Sequence, residues 1–213
     1  MTRIALFDLD GTLIDSAPDL RAALNRLLAA EGLAPFPLAE VVGFIGDGAR
    51  ALVERALAAR GRAFDTSLLE RFLADYTGNA AIETRAYPGI PELLETLVTE
   101  GWRLAVCTNK PEAAAREALR ALGLARHLAA LGGGDSYKAR KPDPAHLLAT
   151  LRDAGGAPEH AIMIGDHHND IAAARGAGMA CIFVAWGYGP RGMADGAPIA
   201  EDVAGLLALL RAG

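Results

Sequence analysis

The feature that most restricts the fold is a set of short apolar runs at residues 4–7, 103–107, 161–164 and 181–184, with helical patterns between the last three. Runs of this length without polar alternation suit strands buried on both faces, and strands alternating with helices imply a parallel sheet. Proline near the start and glycine at the stop mark the crossovers: residues 111–122 end before Gly123, and residues 143–154, with Pro144 in the first turn, end before Gly155-Gly156. Residues 169–177 close at Gly178, and residues 202–211 carry Val203, Leu206, Leu207 and Leu210 on one face. The expected class is α/β: a Rossmann-like parallel sheet flanked by helices.

One interval breaks the pattern. Residues 15–84 contain no strand candidate, although a crossover between parallel strands needs only about a dozen residues. They are expected to form an all-helical cap domain (15–84) inserted into an α/β core made of residues 1–14 and 85–213. Ser16, with Asp19 three residues on, is expected to cap a helix bearing Leu20, Leu24, Leu27 and Leu28, closed by Gly32. Further helices are expected over 49–60 and 67–76, and Tyr87-Pro88-Gly89 marks the return to the core.

Polar residues gather where the core strands end. The first run stops at Asp8-Leu9-Asp10-Gly11-Thr12, the second at Thr108-Asn109-Lys110, and the third at Gly165-Asp166-His167-His168-Asn169-Asp170. Open α/β sheets bind ligands at that edge. Asp8 and Asp10, two apart on an extended chain, share a face, and Gly11 lets the backbone turn away. Lys141, immediately before a helix start, can reach the same edge. Acids, a hydroxyl, an amide and a lysine in one place suit phosphoryl transfer. Asp8 would attack phosphorus to form an aspartyl-phosphate. Asp10 would protonate the leaving oxygen and then take a proton from the hydrolytic water. Asp8, the Asp10 carbonyl and Asp166 offer only oxygen, which suits Mg2+ rather than zinc, with Asp170 supporting the metal or orienting Lys141. Thr108 and Asn109 would donate to the phosphoryl group while Lys141 offsets its charge.

With these residues in order, the chain resembles the haloacid dehalogenase superfamily of phosphatases along its whole length. The resemblance rests on Asp8-Leu9-Asp10-Gly11-Thr12-Leu13, on Thr108, on Lys141, and on Gly165-Asp166 with Asp170. The helical insertion after the first motif looks like the small cap of the phosphoglycolate phosphatase branch, and residues 43–49 look like that branch's substrate loop. The expected reaction is therefore Mg2+-dependent hydrolysis of a small phosphate monoester, 2-phosphoglycolate first. Asp10 argues against dehalogenation, because a halide leaving group needs no proton. A phosphomutase, a pyrophosphatase or a sugar phosphatase of the same superfamily is compatible with the same motifs. A silent phosphate-binding module is the reading from another class, but every charged role of the mechanism is filled.

Substrate contacts are expected from Asn109 and, in the cap, from Gly46, Asp47, Gly48 and Arg50. A glycine turn before a helix start suits a substrate carboxylate, and Arg50 lies in that helix's first turn. His167 and His168 are expected to be solvent-facing loop residues, and His127, His146 and His160 to lie in surface segments. Trp186-Gly187-Tyr188-Gly189-Pro190 either walls the site or packs the core edge. Cys107 and Cys181, each within an apolar run and without CxxC spacing, read as buried free thiols.

The formal charge of -5 over 213 residues excludes a general nucleic-acid binder, which needs clustered Lys and Arg. No apolar run approaches the ~20 residues that span a bilayer, and the apolar start is too short for a signal-peptide core. A cytoplasmic enzyme, monomer or homodimer, acting on a small molecule is expected, with no membrane partner.

Overall fold

The computed structural model of the chain describes residues 2–212. The first run becomes β1 (Ile4–Phe7), followed by a two-residue strand β2 (Ile14–Asp15). Four helices come next: α1 (Ala17–Ala30), α2 (Leu38–Val42), α3 (Ala49–Ala59) and α4 (Thr66–Gly78). The chain returns through β3 (Arg85–Ala86) and α5 (Ile90–Thr99) to β4 (Arg103–Cys107), then α6 (Glu112–Ala121) and β5 (Leu128–Gly132). It ends with α7 (Pro144–Asp153), β6 (Ala161–Gly165), α8 (His168–Gly176), β7 (Ala180–Val184), β8 (Ile199–Ala200) and α9 (Val203–Ala212).

Six strands form one parallel sheet in the order β5-β4-β1-β6-β7-β8. β1 lies inside it, with Phe7 opposite Val106 on one side and Ile164 on the other. The chain moves outward from β1 to β4 and β5 and then crosses back to β6, so β1 ends where the winding reverses and a crevice opens. All four β1 residues are fully buried. Ala5 and Phe7 join the core under α5, α6 and α9, while Ile4 and Leu6 join the one under α7 and α8. That alternation is why the strand reads as a continuous apolar run.

Residues 17–78 bury their own apolar cluster, with Leu24, Leu28, Leu57, Phe72 and Tyr76 at its centre and Ala114 of α6 at its edge. β2 and β3 pair antiparallel at its base, Ile14 opposite Ala86 and Asp15 opposite Arg85. Ser16 departs from expectation: its side chain makes no cap bond and donates instead to Asp10. Asp19 is buried and accepts from the amides of Ile82, Glu83 and Thr84 and from the Thr84 hydroxyl, at 2.7–3.0 Å. It fastens the returning chain to the first turn of α1.

Four strands escape the sequence reading. β2, β3 and β8 span only two residues each, and β5, Leu-Ala-Ala-Leu-Gly, has no β-branched residue and is half exposed at the sheet edge. His146 also departs from expectation, being fully buried with Nδ1 accepting from the Lys141 amide at 3.2 Å. Burial, followed by the nearby Lys141 charge, lowers its pKa to about 4. Cys107 is buried and Cys181 half-buried, and both are free. Among the described residues, no helix is long and apolar enough to cross a membrane.

Candidate active site

The turn after β1 is built around Gly11, which adopts φ 83°, a conformation that side chains disfavour. A Cβ there would also collide with the Asp166 carboxylate, so glycine is needed both for the turn and for the approach of β6's end. Asp8 follows β1 directly; its Oδ1 accepts from the Leu9 amide at 2.7 Å and lies 3.0 Å from Lys141 Nζ. Asp10 lines the same pocket as Asp8 with other partners. Its Oδ1 accepts from Ser16 Oγ at 2.5 Å and from Lys110 Nζ at 2.8 Å.

Asp166 and Asp170 complete an acidic cluster, in which one oxygen each from Asp8, Asp166 and Asp170 lies within 4.8 Å of the others. Asp166 is fixed on both oxygens, by Thr12 Oγ1 at 3.0 Å and by the amides of Tyr188 at 2.8 Å and Gly189 at 3.3 Å. Burial and then the Asp8 charge push its pKa up to about 7. Asp170 sits in the first turn of α8, where it accepts from the His167 amide and binds Lys141 Nζ at 2.5 Å. Burial opposes charge on Lys141, but Asp170 and then Asp8 outweigh it and hold the ammonium above its ordinary range. Three buried carboxylates against one lysine leave an oxygen-only site with excess negative charge. Its donor set fits a hard divalent cation of the Mg2+ type.

The pocket beside Asp8 and Asp10 is open to solvent, and Thr108, Asn109, Gly46 and Gly48 help to line it. The side chains do not all serve it as expected. Asn109 Nδ2 donates to the carbonyls of Gly46 at 3.1 Å and Lys141 at 2.9 Å, so its carboxamide ties loops together instead of facing a phosphoryl group. Asp47 also turns away from the pocket: one oxygen accepts from Asn169 Nδ2 at 2.7 Å and the other from Arg55. Burial works against its charge, but these bonds outweigh it and hold the carboxyl below its ordinary range. Arg50 lies on the exposed face of α3, paired with Glu54 at 2.7 Å and stacked over Phe64. Its place was legible in the helix phase: Leu52, Val53, Ala56 and Leu57 face the core, which puts 50 and 54 outside.

His167 reverses the loop expectation. It is buried, caps α8 through Nδ1, and packs its ring where a Cβ on Gly46 would collide. Gly46 has φ 119°, so the 43–49 loop can lie directly against that ring. His168 is exposed, as expected, but opens α8 instead of lying in a loop. The Trp186 loop proves to be part of the site wall: besides its two amides on Asp166, the Tyr188 hydroxyl donates to Asp15 at 2.8 Å and accepts from the amides of Ser16 and Ala17. Lys110, the third residue of Thr108-Asn109-Lys110, is the cation that sequence reasoning left unassigned. It is buried between Asp10 and the Tyr76 hydroxyl of α4. The same two-residue spacing that pairs Asp8 with Asp10 pairs Thr108 with Lys110, and that was the available signal.

A family model of haloacid dehalogenase-like hydrolases matches residues 2–178. The chain belongs to that family. Curated relatives of this haloacid dehalogenase-like hydrolase include a phosphoglycolate phosphatase of Mesorhizobium japonicum, 45% identical over 92% of this chain and 88% of that protein. Another, from Cereibacter sphaeroides, is 47% identical over 86% of this chain and 85% of that protein. A crystal structure from Haemophilus somnus, described as a predicted phosphoglycolate phosphatase, superposes with a TM-score of 0.89 at 32% identity, covering 98% of each chain. The hydrolase's six-stranded parallel core is thus the family fold.

Proposed function

We propose that this chain is a Mg2+-dependent phosphatase that hydrolyses 2-phosphoglycolate. The observation that carries the reading is the division between two carboxylates two residues apart. Asp8 is held by Lys141 within the acidic cluster, and Asp10, outside that cluster, is held by Ser16 and Lys110. The names of relatives at 45% and 47% identity support the choice of substrate.

In the first half-reaction the Asp8 carboxylate forms a bond to phosphorus as the bond to the ester oxygen breaks, and protonated Asp10 gives its proton to that oxygen. In the second, Asp10 takes a proton from water as the water oxygen bonds to phosphorus, releasing phosphate and restoring Asp8. Thr108 donates its hydroxyl to the phosphoryl oxygens, and Lys141, kept charged, offsets their charge. Asp8, the Asp10 carbonyl and Asp166 would hold the ion, which would neutralise charge on the transferring group, and Asp170 anchors Lys141. Residues 15–84 serve as a cap domain over a core of 1–14 and 85–213, and its 43–49 loop is fastened to Asn109 and Asn169. Cytoplasmic location belongs to the same proposal.

The test is phosphate release with Mg2+ from 2-phosphoglycolate, pyrophosphate, glucose 1-phosphate and nucleoside monophosphates. Turnover is expected to be fastest with 2-phosphoglycolate and to fall at least ~10³-fold in Asp8→Asn, with the circular dichroism spectrum kept. Persistent turnover in that variant overturns the mechanism. Interconversion of sugar phosphates without net phosphate release replaces the hydrolase with a mutase.

A further inference from the structure

Arg50, expected to read the substrate's carboxylate, faces solvent, and the pocket contains a different cation. We infer that Lys110 is the specificity-determining residue, its ammonium receiving the carboxylate of a short phosphate ester whose phosphoryl group lies against Asp8. This rests on the phosphatase reading above.

Among the described residues lining the pocket, Lys110 is the one cationic side chain. Its side chain is 1% exposed, and two acceptors hold its Nζ: Asp10 Oδ1 and the Tyr76 hydroxyl. An ammonium has three protons to donate, so a third remains for a ligand. Lys141, the other buried cation at this edge, is engaged by Asp8 and Asp170. The phosphoryl end and the far end of a substrate therefore meet separate positive charges.

Distance along the substrate fits the same division. Asp10 must reach the leaving oxygen by a hydrogen bond, and Lys110 Nζ is 2.8 Å from Asp10 Oδ1. The ammonium therefore lies on the order of 6 Å from that oxygen, two hydrogen-bond lengths. A carboxylate one methylene beyond the ester oxygen, plus its own hydrogen bond, covers such a span. Leu20, Ile45 and Leu52 line the same pocket and lower the local dielectric, which strengthens an ion pair formed there. Tyr76, on α4, carries the contact across from the helical insert, so the ammonium is seated only where insert and core meet.

The deciding experiment compares 2-phosphoglycolate with 2-hydroxyethyl phosphate, which has the same chain length but a hydroxyl in place of the carboxylate, in the full-length wild-type protein, Lys110→Met and Lys110→Arg. Wild type should prefer 2-phosphoglycolate. Lys110→Met should lose kcat/KM on both esters, because Asp10 loses a partner, but on the order of 100-fold more on 2-phosphoglycolate, so that the preference collapses. Glycolate should stop inhibiting Lys110→Met competitively while inorganic phosphate still inhibits it, and Lys110→Arg should retain most of the preference. Equal losses on both esters would mean that Lys110 only positions Asp10, and would overturn the inference, as would unchanged glycolate inhibition. Should Lys110→Met fail to fold, Lys110→Gln takes its place and is judged by the same two esters and the same two inhibitors. A wild-type protein inert on both esters overturns the substrate reading and this inference with it. Activity on 2-phosphoglycolate with the preference intact in Lys110→Met overturns the inference alone.

Discussion

Replacing Asp19 by Ala should destabilise the protein by about 3 kcal/mol without touching the catalytic groups. The Asp19 carboxylate, 3% exposed, accepts from three consecutive amides and one hydroxyl of the returning chain. These four donors are not equally costly to strand. Ile82 and Glu83 are exposed, so their amides can turn to water when the carboxylate is gone. Thr84 is fully buried, and its amide and hydroxyl would be left without an acceptor. Each stranded buried donor costs roughly 1–3 kcal/mol, so the pair costs about 2–6. Relief of the buried carboxylate's own desolvation trims that sum towards the lower half. Loss of an acid from the first turn of α1 adds a few tenths of a kcal/mol. Urea unfolding of Asp19→Ala beside wild type measures the difference directly, and limited proteolysis near residues 79–84 should report a loosened return strand. A loss below about 1 kcal/mol would refute the reasoning, because it would mean that the buried Thr84 donors find water or another acceptor.

Two further outcomes follow from titrating groups. Asp166, pushed up to about 7 by burial and then by Asp8, holds its proton below that pH, and a cation must displace it; apparent Mg2+ affinity should therefore fall roughly tenfold per pH unit below 7. Calorimetric titration with Mg2+ across pH 5.5–8 checks this, and affinity independent of pH would contradict it. EDTA should inactivate reversibly, with Mg2+ restoring activity. His146 has its pKa lowered from 6.5 to about 4, so its contribution to stability is complete above 6.5 and is lost as pH falls through 4. Over that window wild type should lose about 3 kcal/mol more than His146→Gln in urea unfolding, with no further divergence at lower pH.

Much of the core was legible because its signals are local. The 4–7, 103–107, 161–164 and 181–184 runs became strands, since burial on both faces demands uninterrupted apolar residues. β5 was not legible: an edge strand of Leu, Ala and Gly owes its conformation to pairing with β4, which leaves no mark in its composition. Ser16 misled for a related reason. A serine before a helix is a good cap, but here Asp10 competes for its hydroxyl across the closed turn.

By itself the sequence determined which chemical groups arrive at the carboxyl edge of the sheet and in what order, because turn residues and apolar periods act over a few neighbours. Asp8, Asp10, Thr108, Lys141, Asp166 and Asp170 all came from that reading, and all lie at that edge. Only the tertiary structure decided which charges face the pocket. Lys110 points in and Arg50 points out, Asn109 and Asp47 became fasteners, and His167 became a buried cap. Those assignments depend on how the helical insert seats against the strand ends. That seating is fixed by contacts between residues as distant in sequence as 46 and 169, or 76 and 110, which no local pattern records.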